Sequence, residues 1–446
     1  MDEVTPRSDR PARFLFAMFQ GGGNIPLILP IVARLVARGH EVRVLAGPGV
    51  RANRLPVSAR FRGRVAASGA TLVPFPAPAI HPLDEAAPPR GLARGWTPKQ
   101  FASASASVLP FAWAPAWAEN TLAELRRAPA DVLVADFVLP GALAAAEAVG
   151  VPAAALVHNV YNRPAPGLPA FGHGFLPARG PLGQLRDAFY NAAFRRIYRR
   201  DGLPPLNRAR RALGLPPLRA PLAQYHRAAR VLVLASAAFD FPARRLPPNV
   251  RHVGTPFDDA GAAAWASPWP ADDPRPLVLV SLSTLPQGQG PTLHNVLAAL
   301  APLPVRALVT LGPSLDPAAF AAPANARLVA FVPHAAVLPQ VAALVTQCGL
   351  GTLTKALAHG VPLVCLPILG DQPDNAARVV AREAGVRLPR DASPAQIGRA
   401  IRRALDEPRF RAGARRLAAV LVEEDGAETA ARELEALAGG RDRGIR

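Results

Sequence analysis

Short apolar runs alternate with helical periods from the start of the chain. Residues 14–19 form an apolar run that ends at the turn Gln20-Gly21-Gly22-Gly23-Asn24, and a helical period follows over residues 26–38. Pro26 just inside that helix and Gly39 just after it mark its two ends. A second apolar run at residues 41–45 predicts the next strand. The order strand, turn, helix, strand predicts a βαβ unit and therefore a parallel sheet.

The same alternation continues along the rest of the chain. Strands are predicted at residues 132–135, 153–157 and 231–235, with a helix at residues 141–149. Strands at 277–282, 305–311, 327–331 and 343–346 then alternate with helices, beginning at 292–300, and further helices follow from residue 394 onward. We therefore predict two doubly wound α/β halves with a binding cleft between them.

Composition marks the boundary between the two halves. Residues 242–276 are rich in proline and show almost no periodicity, which is typical of a linker. We divide the chain into an N-terminal domain (1–241), this linker, a C-terminal domain (277–425) and a C-terminal helix with a basic tail (426–446). Residues 76–117 carry Trp96, Trp113 and Trp117 among prolines and alanines, and we expect them to cover the cleft and line an apolar acceptor site.

Charge and cysteine usage narrow the class of partner and compartment. The chain has 51 Lys plus Arg against 32 Asp plus Glu, a net charge of +19 that favours anionic partners. The arginines are dispersed and no recognition motif is present, which disfavours nucleic acid. Two cysteines, no apolar signal sequence and no uninterrupted apolar stretch of membrane-spanning length lead us to expect a cytoplasmic protein.

Two glycine-rich turns are candidates for ligand binding. The first turn fails the dinucleotide fingerprint because Pro26 stands where its third glycine belongs, which disfavours nicotinamide chemistry. The second, Gln347-Cys348-Gly349-Leu350-Gly351-Thr352, lies between a strand and a helix that ends at Gly360. Backbone N–H groups and the positive end of the helix dipole at such a turn suit a diphosphate, and Thr352 adds a hydroxyl.

A polar cluster follows the next strand, residues 362–366. The segment Gly370-Asp371-Gln372-Pro373-Asp374-Asn375 opens a helix. Asp371 is either the N-cap of that helix or, together with Gln372, a ligand for sugar hydroxyls. The residues by themselves leave both interpretations open.

The stretch VTQCGLGTLTKALAHGVPLVCLPILGDQPDNAARV resembles the donor-binding signature of the UDP-glycosyltransferase superfamily. The resemblance extends through residues 331–334 and 280–284, through the N-terminal GGGNIPLILPIVARLVARGHEVRVLAGP, and through residues 131–136. It is nearest to bacterial antibiotic and macrolide-type members. It implies the GT-B fold, an α/β architecture in which two Rossmann-like, doubly wound domains face each other across a cleft. It also implies a hexosyltransferase-type enzyme of natural product biosynthesis.

The resemblance assigns donor-binding roles to individual residues. Phe331 stacks on the base beside Val332 and His334, and Ser283 and Thr284 form a phosphate-side loop. Gly349, Gly351 and Thr352 form the diphosphate turn, and Asp371 and Gln372 hold the transferred sugar. The implied partners are a UDP- or TDP-sugar and a lipophilic small molecule whose hydroxyl group accepts the sugar.

Two donor-site residues depart from the family pattern. Gln347 stands where the family has a phosphate-contacting His, and it donates a similar hydrogen bond without carrying charge. Lys355 stands where many members have a Glu that binds the ribose hydroxyls. A cation near a helix N-terminus is disfavoured by the dipole unless an anion lies nearby. Lys355 therefore either faces phosphate or is an ordinary solvated lysine, and both UDP- and TDP-sugars stay open as donors.

The third departure concerns the catalytic base. Gly23 falls where the family places its catalytic His, and Asp136 matches the Asp that orients this His. We expect Asp136 to act as the base, directly or through water, with Asn24 helping to orient the acceptor. The alternative is that Asp136 only caps the following turn. The helix N-terminus near Gly351 stabilises the leaving diphosphate, so we expect neither a metal nor a cofactor.

Other functions remain open. The departures admit a catalytically weakened homologue that binds nucleotide sugar or assists a partner glycosyltransferase, and the donor site admits a GT-B-fold sugar-nucleotide epimerase. Residues 189–200 place aromatic residues at helical spacing among arginines. They predict either a helix that packs its apolar face or peripheral contact with an anionic membrane.

Overall fold

The computed structural model describes residues 10–20, 23–47, 58–75, 111–257, 265–282, 287–312 and 315–440. These residues form two parallel β-sheets. The strands of the first are β1 (Arg13–Phe19), β2 (Glu41–Gly47), β3 (Thr71–Pro74), β4 (Val132–Asp136), β5 (Ala153–Val157), β6 (Arg230–Val233) and β7 (Val250–His252). Those of the second are β8 (Leu277–Ser281), β9 (Arg306–Thr310), β10 (Ala326–Val329), β11 (Val341–Thr346), β12 (Leu363–Cys365) and β13 (Gly385–Arg387).

Helices cover both sheets. In the N-terminal half they are α1 (Ile25–Ala37), α2 (Ala59–Ala67), α3 (Ala114–Arg127), α4 (Pro140–Ala148), α5 (Pro181–Ile197), α6 (Leu203–Ala212) and α7 (Ala223–His226). In the C-terminal half they are α8 (Gly290–Leu300), α9 (His334–Val337), α10 (Leu350–Ala358), α11 (Gln372–Ala381), α12 (Pro394–Asp406), α13 (Pro408–Leu421) and α14 (Gly426–Gly439). A π-helical turn at Tyr198–Gly202 joins α5 to α6, and short 3-10 turns lie at Pro317–Ala319 and Leu338–Gln340.

Both sheets have the doubly wound strand order. The first runs β3-β2-β1-β4-β5-β6-β7 and the second β10-β9-β8-β11-β12-β13, with every pairing parallel. The central strands are apolar along nearly their whole length because helices bury both of their faces. In such sheets ligands bind beyond the carboxyl ends of the strands. The predicted fold class, two Rossmann-like halves, is confirmed.

The C-terminal helix returns to the N-terminal half. Arg34 on α1 contacts Glu428 at 2.7 Å and Asp425 at 3.0 Å, and His40 Nε2 lies 2.8 Å from Glu435 Oε1. These contacts tie α14 to α1 and so help to fix the two halves against each other.

A second set of contacts joins the halves beside the cleft. Asp240 lies 2.7 Å from Arg378 of α11 and accepts a hydrogen bond from the Tyr161 N–H at 2.9 Å. Asp374 of α11 accepts the backbone N–H groups of Gly172 at 2.6 Å and Gly174 at 3.3 Å. The helix at the polar cluster of residues 371–375 is therefore anchored directly to the N-terminal half.

Two expectations about segments need correction. The proline-rich segment 242–276 is not all linker, because β7 lies inside it and pairs with β6; the rest of the domain division stays a prediction. The cleft cover at 76–117 is described only from residue 111, and there Trp113 and Trp117 are 8% and 3% exposed. Trp117 packs under Phe75 at a ring distance of 4.7 Å, so these two rings belong to the core rather than to an open acceptor surface.

The basic aromatic segment falls on α5 and the π-helical turn after it. Leu182, Leu185 and Phe189 on α5 are 82%, 68% and 67% exposed. Within the described residues, no helix is both long and apolar enough to cross a bilayer. Membrane contact by this segment stays a prediction.

Candidate active site

The turn between β11 and α10 has the geometry of an anion site. Gly349 occupies the N-cap position of α10 and no side chain caps the helix there. Cys348 before it adopts a left-handed backbone, φ 71°, which costs a non-glycine residue about 1–2 kcal/mol. Two hydrogen bonds hold it there: Cys348 N–H donates to Thr346 Oγ1 at 3.2 Å, and Asn375 Nδ2 donates to the Cys348 carbonyl at 2.9 Å. The turn is therefore preorganised with the positive end of the helix at its mouth.

Gln347 is the first residue of this turn. Its side chain is buried, and its Oε1 accepts a hydrogen bond from Thr346 Oγ1 at 3.3 Å. Its Nε2 lies 3.4 Å from the position that a Cβ atom would take on Gly349. A Cβ atom at Gly349 would therefore be in ordinary van der Waals contact with the carboxamide.

Asp371 does not cap α11, although it occupies the N-cap position. Its Oδ2 instead accepts a hydrogen bond from Asn375 Nδ2 at 2.8 Å, and the residue stays half-buried. Burial raises the pKa of this carboxyl, while the Asn375 hydrogen bond and His158 oppose the rise. The capping interpretation is therefore wrong, and binding of sugar hydroxyls by Asp371 stays a prediction.

Gln372 is occupied within the protein. Its Oε1 accepts the N–H groups of Ile368 at 2.8 Å and Leu369 at 3.0 Å, and its Nε2 donates to Gln287 Oε1 at 2.9 Å. The residue is 4% exposed. The carboxamide thus shapes the loop before α11, contrary to the expectation that it faces the sugar together with Asp371.

The remaining residues expected at the donor site lie on several elements of the C-terminal half. The Phe331 ring is 70% exposed, Val332 is buried and His334 begins α9. Lys355 lies in the last turn of the nine-residue α10, where the dipole favours a cation, so the expected dipole conflict does not arise. It lines a small pocket with Phe257, Ala335 and His359. Ser283 and Thr284 lie outside the described residues.

The N-terminal half contributes a buried carboxylate at the end of β4. Asp136 is 1% exposed; Asn24 Nδ2 donates to its Oδ2 at 3.0 Å and Val138 N–H donates to its Oδ1 at 3.2 Å. Asn24 is also 1% exposed and donates to the Phe19 carbonyl at 3.0 Å, so in this arrangement it supports Asp136 and does not face the acceptor. Asp136 thus has the turn contact that the capping alternative predicts, together with side-chain partners. Among the described residues, none has an atom within 4 Å of the position that a Cβ atom would take on Gly23.

His158 is a site residue that the sequence reasoning missed. It follows the last residue of β5, and its Nδ1 lies 3.3 Å from Asp136 Oδ2. Burial lowers the pKa of this imidazole, but the Asp136 carboxylate and, further off, Asp371 outweigh it and leave the pKa raised. The available signal was its position: β5 is predicted as a parallel strand, and polar residues that directly follow such strands lie at the ligand edge.

The arrangement brings groups from both halves to one cleft. Asp136 and His158 lie at strand ends of the first sheet, while the diphosphate turn and Asp371 lie at strand ends of the second. The two halves approach each other here: a Cβ atom on Gly351 would lie 3.9 Å from the side chain of Leu27 on α1, and the Gly172 N–H donates to Asp374 of α11 at 2.6 Å. In the described part of the chain, no group of three or more His, Cys, Asp or Glu side chains is arranged to hold a metal ion.

Comparisons with known proteins agree with this geometry. Residues 294–437 match the family described as erythromycin biosynthesis protein CIII-like, C-terminal domain. The chain is 33% identical over 419 residues to 4'-demethylrebeccamycin synthase of Lentzea aerocolonigenes, covering 91% of this chain and 94% of the relative. The solved kitacinnamycin glycosyltransferase shares the fold with a TM-score of 0.72 at 20% identity, covering 96% and 99% of the two chains. The glycosyltransferase VinC, solved in complex with dTDP, gives 0.66 at 21% identity, covering 97% and 100%.

The family of this chain follows from two findings. One is the sequence identity over nearly the full length, and the other is the shared two-sheet architecture. The match extends across both halves, so it includes Asp136 and His158 of the first sheet as well as the glycine-rich turn before α10. The chain belongs to the UDP-glycosyltransferase superfamily and is a GT-B-fold glycosyltransferase of the antibiotic, natural-product type.

Proposed function

We propose that this protein transfers a sugar from a UDP- or TDP-sugar to a hydroxyl group of a lipophilic small-molecule acceptor. The observation that carries the proposal is that α11, which begins directly after Asp371, contacts the N-terminal half through Asp374 and Arg378, while Asp136 and His158 lie together in that half. A sugar held by Asp371 would have its anomeric carbon between the glycine-rich turn before α10 and the pair Asp136 and His158.

On the donor side, each group has a distinct task. Phe331 stacks on the base through its exposed ring, with Val332 and His334 beside it. Gly349, Gly351 and Thr352 surround the diphosphate, and the positive end of α10 stabilises the charge that develops as the nucleoside diphosphate leaves. Gln347 donates to a phosphate oxygen, and Ser283 and Thr284 approach from the other side. Lys355 lies nearer the nucleoside than the phosphates, because it is at the far end of α10.

Both donor nucleotides remain candidates. A Glu that binds the ribose hydroxyls would favour UDP, and Lys355 replaces it here. VinC was solved with dTDP, which supports TDP as a donor nucleotide for a protein of this fold. On the acceptor side, the Asp136 carboxylate promotes removal of the hydroxyl proton, directly, through water or through a neighbouring group, and Asn24 keeps it in place.

One observation favours a second candidate, a catalytically weakened homologue that binds nucleotide sugar or assists a partner glycosyltransferase. Gly23 provides no imidazole where the family has one. The two candidates differ in turnover and agree in donor binding. A sugar-nucleotide epimerase would instead alter the sugar of the donor without any acceptor.

Binding measurements test the donor site. UDP or TDP should raise the melting temperature, because a ligand of the native state stabilises it by mass action. Asp371→Ala should weaken binding of the sugar nucleotide more than binding of the bare nucleotide, measured by calorimetry. Asp391→Ala, which removes an exposed carboxylate from the same half, is the control and should change neither. Equal losses for both ligands in Asp371→Ala would remove Asp371 from the sugar site.

A further inference from the structure

We infer that His158 is the catalytic base of this glycosyltransferase and that Asp136 holds and polarises it. The inference rests on the proposed transfer to a hydroxyl acceptor and names the group that receives the proton. It replaces the expectation that Asp136 accepts the proton itself.

The sheet order explains how an imidazole can reach Asp136 from either side. β4, which ends in Asp136, lies between β1 and β5. The turn after β1 carries Gly23 and Asn24, and the residue after β5 is His158. Asn24 binds the carboxylate from the β1 side at 3.0 Å, and His158 approaches it from the β5 side at 3.3 Å. The carboxylate that lacks an imidazole after β1 therefore has one after β5.

Exposure separates the two candidate bases. The Asp136 side chain is fully buried, and its oxygens already face Asn24 Nδ2, the Val138 N–H and His158 Nδ1. An acceptor hydroxyl could reach it only after these contacts are broken. The His158 side chain is 17% exposed. Among the described residues, His158 is a titratable group that both contacts the Asp136 carboxylate and is partly exposed.

Aromatic neighbours keep the His158 ring in place. The Phe137 ring lies 4.9 Å from it and the Phe19 ring 6.4 Å, centroid to centroid, from the ends of β4 and β1. Nδ1 is buried on the side of Asp136. A carboxylate beside Nδ1 favours the tautomer with the proton on that nitrogen, which leaves Nε2 as the basic atom on the other side of the ring.

Two charged groups act on this imidazole. Asp136 faces it from the end of β4, and Asp371 acts on it from the start of α11 across the cleft. Both are carboxylates and both stabilise the imidazolium that proton transfer creates. Asp371 is also the proposed sugar ligand, so the base lies on the side from which the acceptor must approach the anomeric carbon.

Transfer of the sugar to the acceptor oxygen needs no reactant other than the donor and the acceptor. The acceptor O–H bond breaks and its proton goes to Nε2 of His158. The freed electron pair on oxygen forms the new bond to the anomeric carbon. The bond from that carbon to the diphosphate oxygen breaks with its electron pair, and the nucleoside diphosphate leaves at the N-terminus of α10. The imidazolium, stabilised by Asp136, then loses its proton to water.

The test compares His158→Gln, Asp136→Asn and the control His226→Gln, which replaces an exposed histidine of α7. The probes are UDP-glucose and TDP-glucose with two phenols, 4-methylumbelliferone and the less acidic 4-methoxyphenol. In His158→Gln, kcat with 4-methoxyphenol should fall roughly 10²–10⁴-fold. The loss should be smaller with 4-methylumbelliferone, which gives up its proton more readily. Donor Kd should be unchanged, and the control should retain full activity.

The pH profile adds a readout that a merely structural histidine would not move. The acid limb of kcat/KM in the wild type should lie above the value near 6.5 of an ordinary imidazole, because Asp136 raises the pKa of His158. Asp136→Asn should shift this limb to lower pH, and His158→Gln should remove it. Histidine-selective NMR of the wild type and Asp136→Asn should show the same fall in the pKa of His158, whether or not His158→Gln folds.

Two results would overturn the inference while leaving the proposed function intact. One is full activity of His158→Gln together with loss of activity in Asp136→Asn, which would make Asp136 the base. The other is an equal loss with both phenols and an unchanged pH profile, which would make His158 structural. Absence of glycoside from the wild type with every probe would contradict the proposed function itself, and the inference with it.

Discussion

Asn375 joins Asp371 to the turn before α10: its Nδ2 donates to Asp371 Oδ2 at 2.8 Å and to the Cys348 carbonyl at 2.9 Å. One buried amide thus fixes the carboxylate assigned to the sugar relative to the turn assigned to the diphosphate. In the sequence, Asn375 is visible only as the last member of a polar cluster. In the structure it sets the distance between two candidate ligand-binding groups that lie after different strands.

Replacing Asn375 should therefore affect binding as well as stability. Asn375→Ala leaves the Cys348 carbonyl and Asp371 without their shared donor, which should lower the free energy of unfolding by about 1–3 kcal/mol and weaken binding of the sugar nucleotide and the bare nucleotide alike. Asn325→Ala is a matched control, because Asn325 is also buried and donates to two carbonyls, those of Leu300 and Leu303, away from the cleft. Denaturation and calorimetry measure both effects. Unchanged affinity in a folded Asn375→Ala would disprove the coupling.

Replacing Gln347 with histidine should make binding of the nucleoside diphosphate depend on pH. Its carboxamide cannot gain charge, so binding of the nucleoside diphosphate should show little pH dependence arising at this position. Gln347→His should be tolerated and should tighten binding below about pH 6.5, where an ordinary imidazole becomes charged. Calorimetric titration with UDP and TDP between pH 5.5 and 8 on the two proteins checks this. Loss of binding at every pH would mean that the side chain does not face the diphosphate.

The stability that Asp374 contributes through its contact between the two halves should depend on pH. Burial raises the pKa of this carboxyl to about 7, against the opposing effects of Arg378 and the two glycine N–H groups. The native state thus keeps a proton that the unfolded chain releases near pH 4. The contribution of Asp374 to stability should fall as the pH rises from about 4 to about 7 and then stay level, with a slope of at most about 1.4 kcal/mol per pH unit.

Urea unfolding of the wild type and Asp374→Asn at several pH values isolates this effect. The stability difference, wild type minus variant, should decrease between pH 5 and 7, because the asparagine does not titrate. Asp391→Asn, which removes an exposed carboxylate, should give a difference that is nearly constant over the same range. A constant difference for Asp374→Asn as well would show that this carboxyl is ionised throughout.

The fold was predictable because its signals are local. Apolar runs of strand length, helical periods and glycine or proline at the boundaries identified most elements to within a few residues. β7 was missed because three residues inside a proline-rich segment carry little periodicity, and pairing with β6 decides their conformation. Trp113 and Trp117 show the same limit: composition suggested an acceptor surface, but neighbouring elements bury both rings.

The proximity of candidate site residues was predictable where one segment holds them. The turn assigned to the diphosphate and Asp371 belong to one continuous segment, and Asn375 contacts both. His158 and Asp136 are 22 positions apart, and their contact depends on β4 and β5 being neighbours in the sheet. Gln372 matched the motif, yet its carboxamide binds the loop before α11. Residue type gives the capacity for a hydrogen bond, and the tertiary partner decides where that bond is made.

The proposed transfer of a sugar from a nucleotide donor to a hydroxyl acceptor is tested by detecting the glycoside product. The wild type is incubated with a panel of UDP- and TDP-hexoses and with phenolic acceptors, and glycoside and free nucleoside diphosphate are quantified by chromatography and mass spectrometry. We expect equimolar glycoside and nucleoside diphosphate for at least one pair. Binding of nucleotide sugar with no glycoside from any pair would contradict transfer and favour the weakened homologue, and an altered sugar in the recovered donor would favour the epimerase.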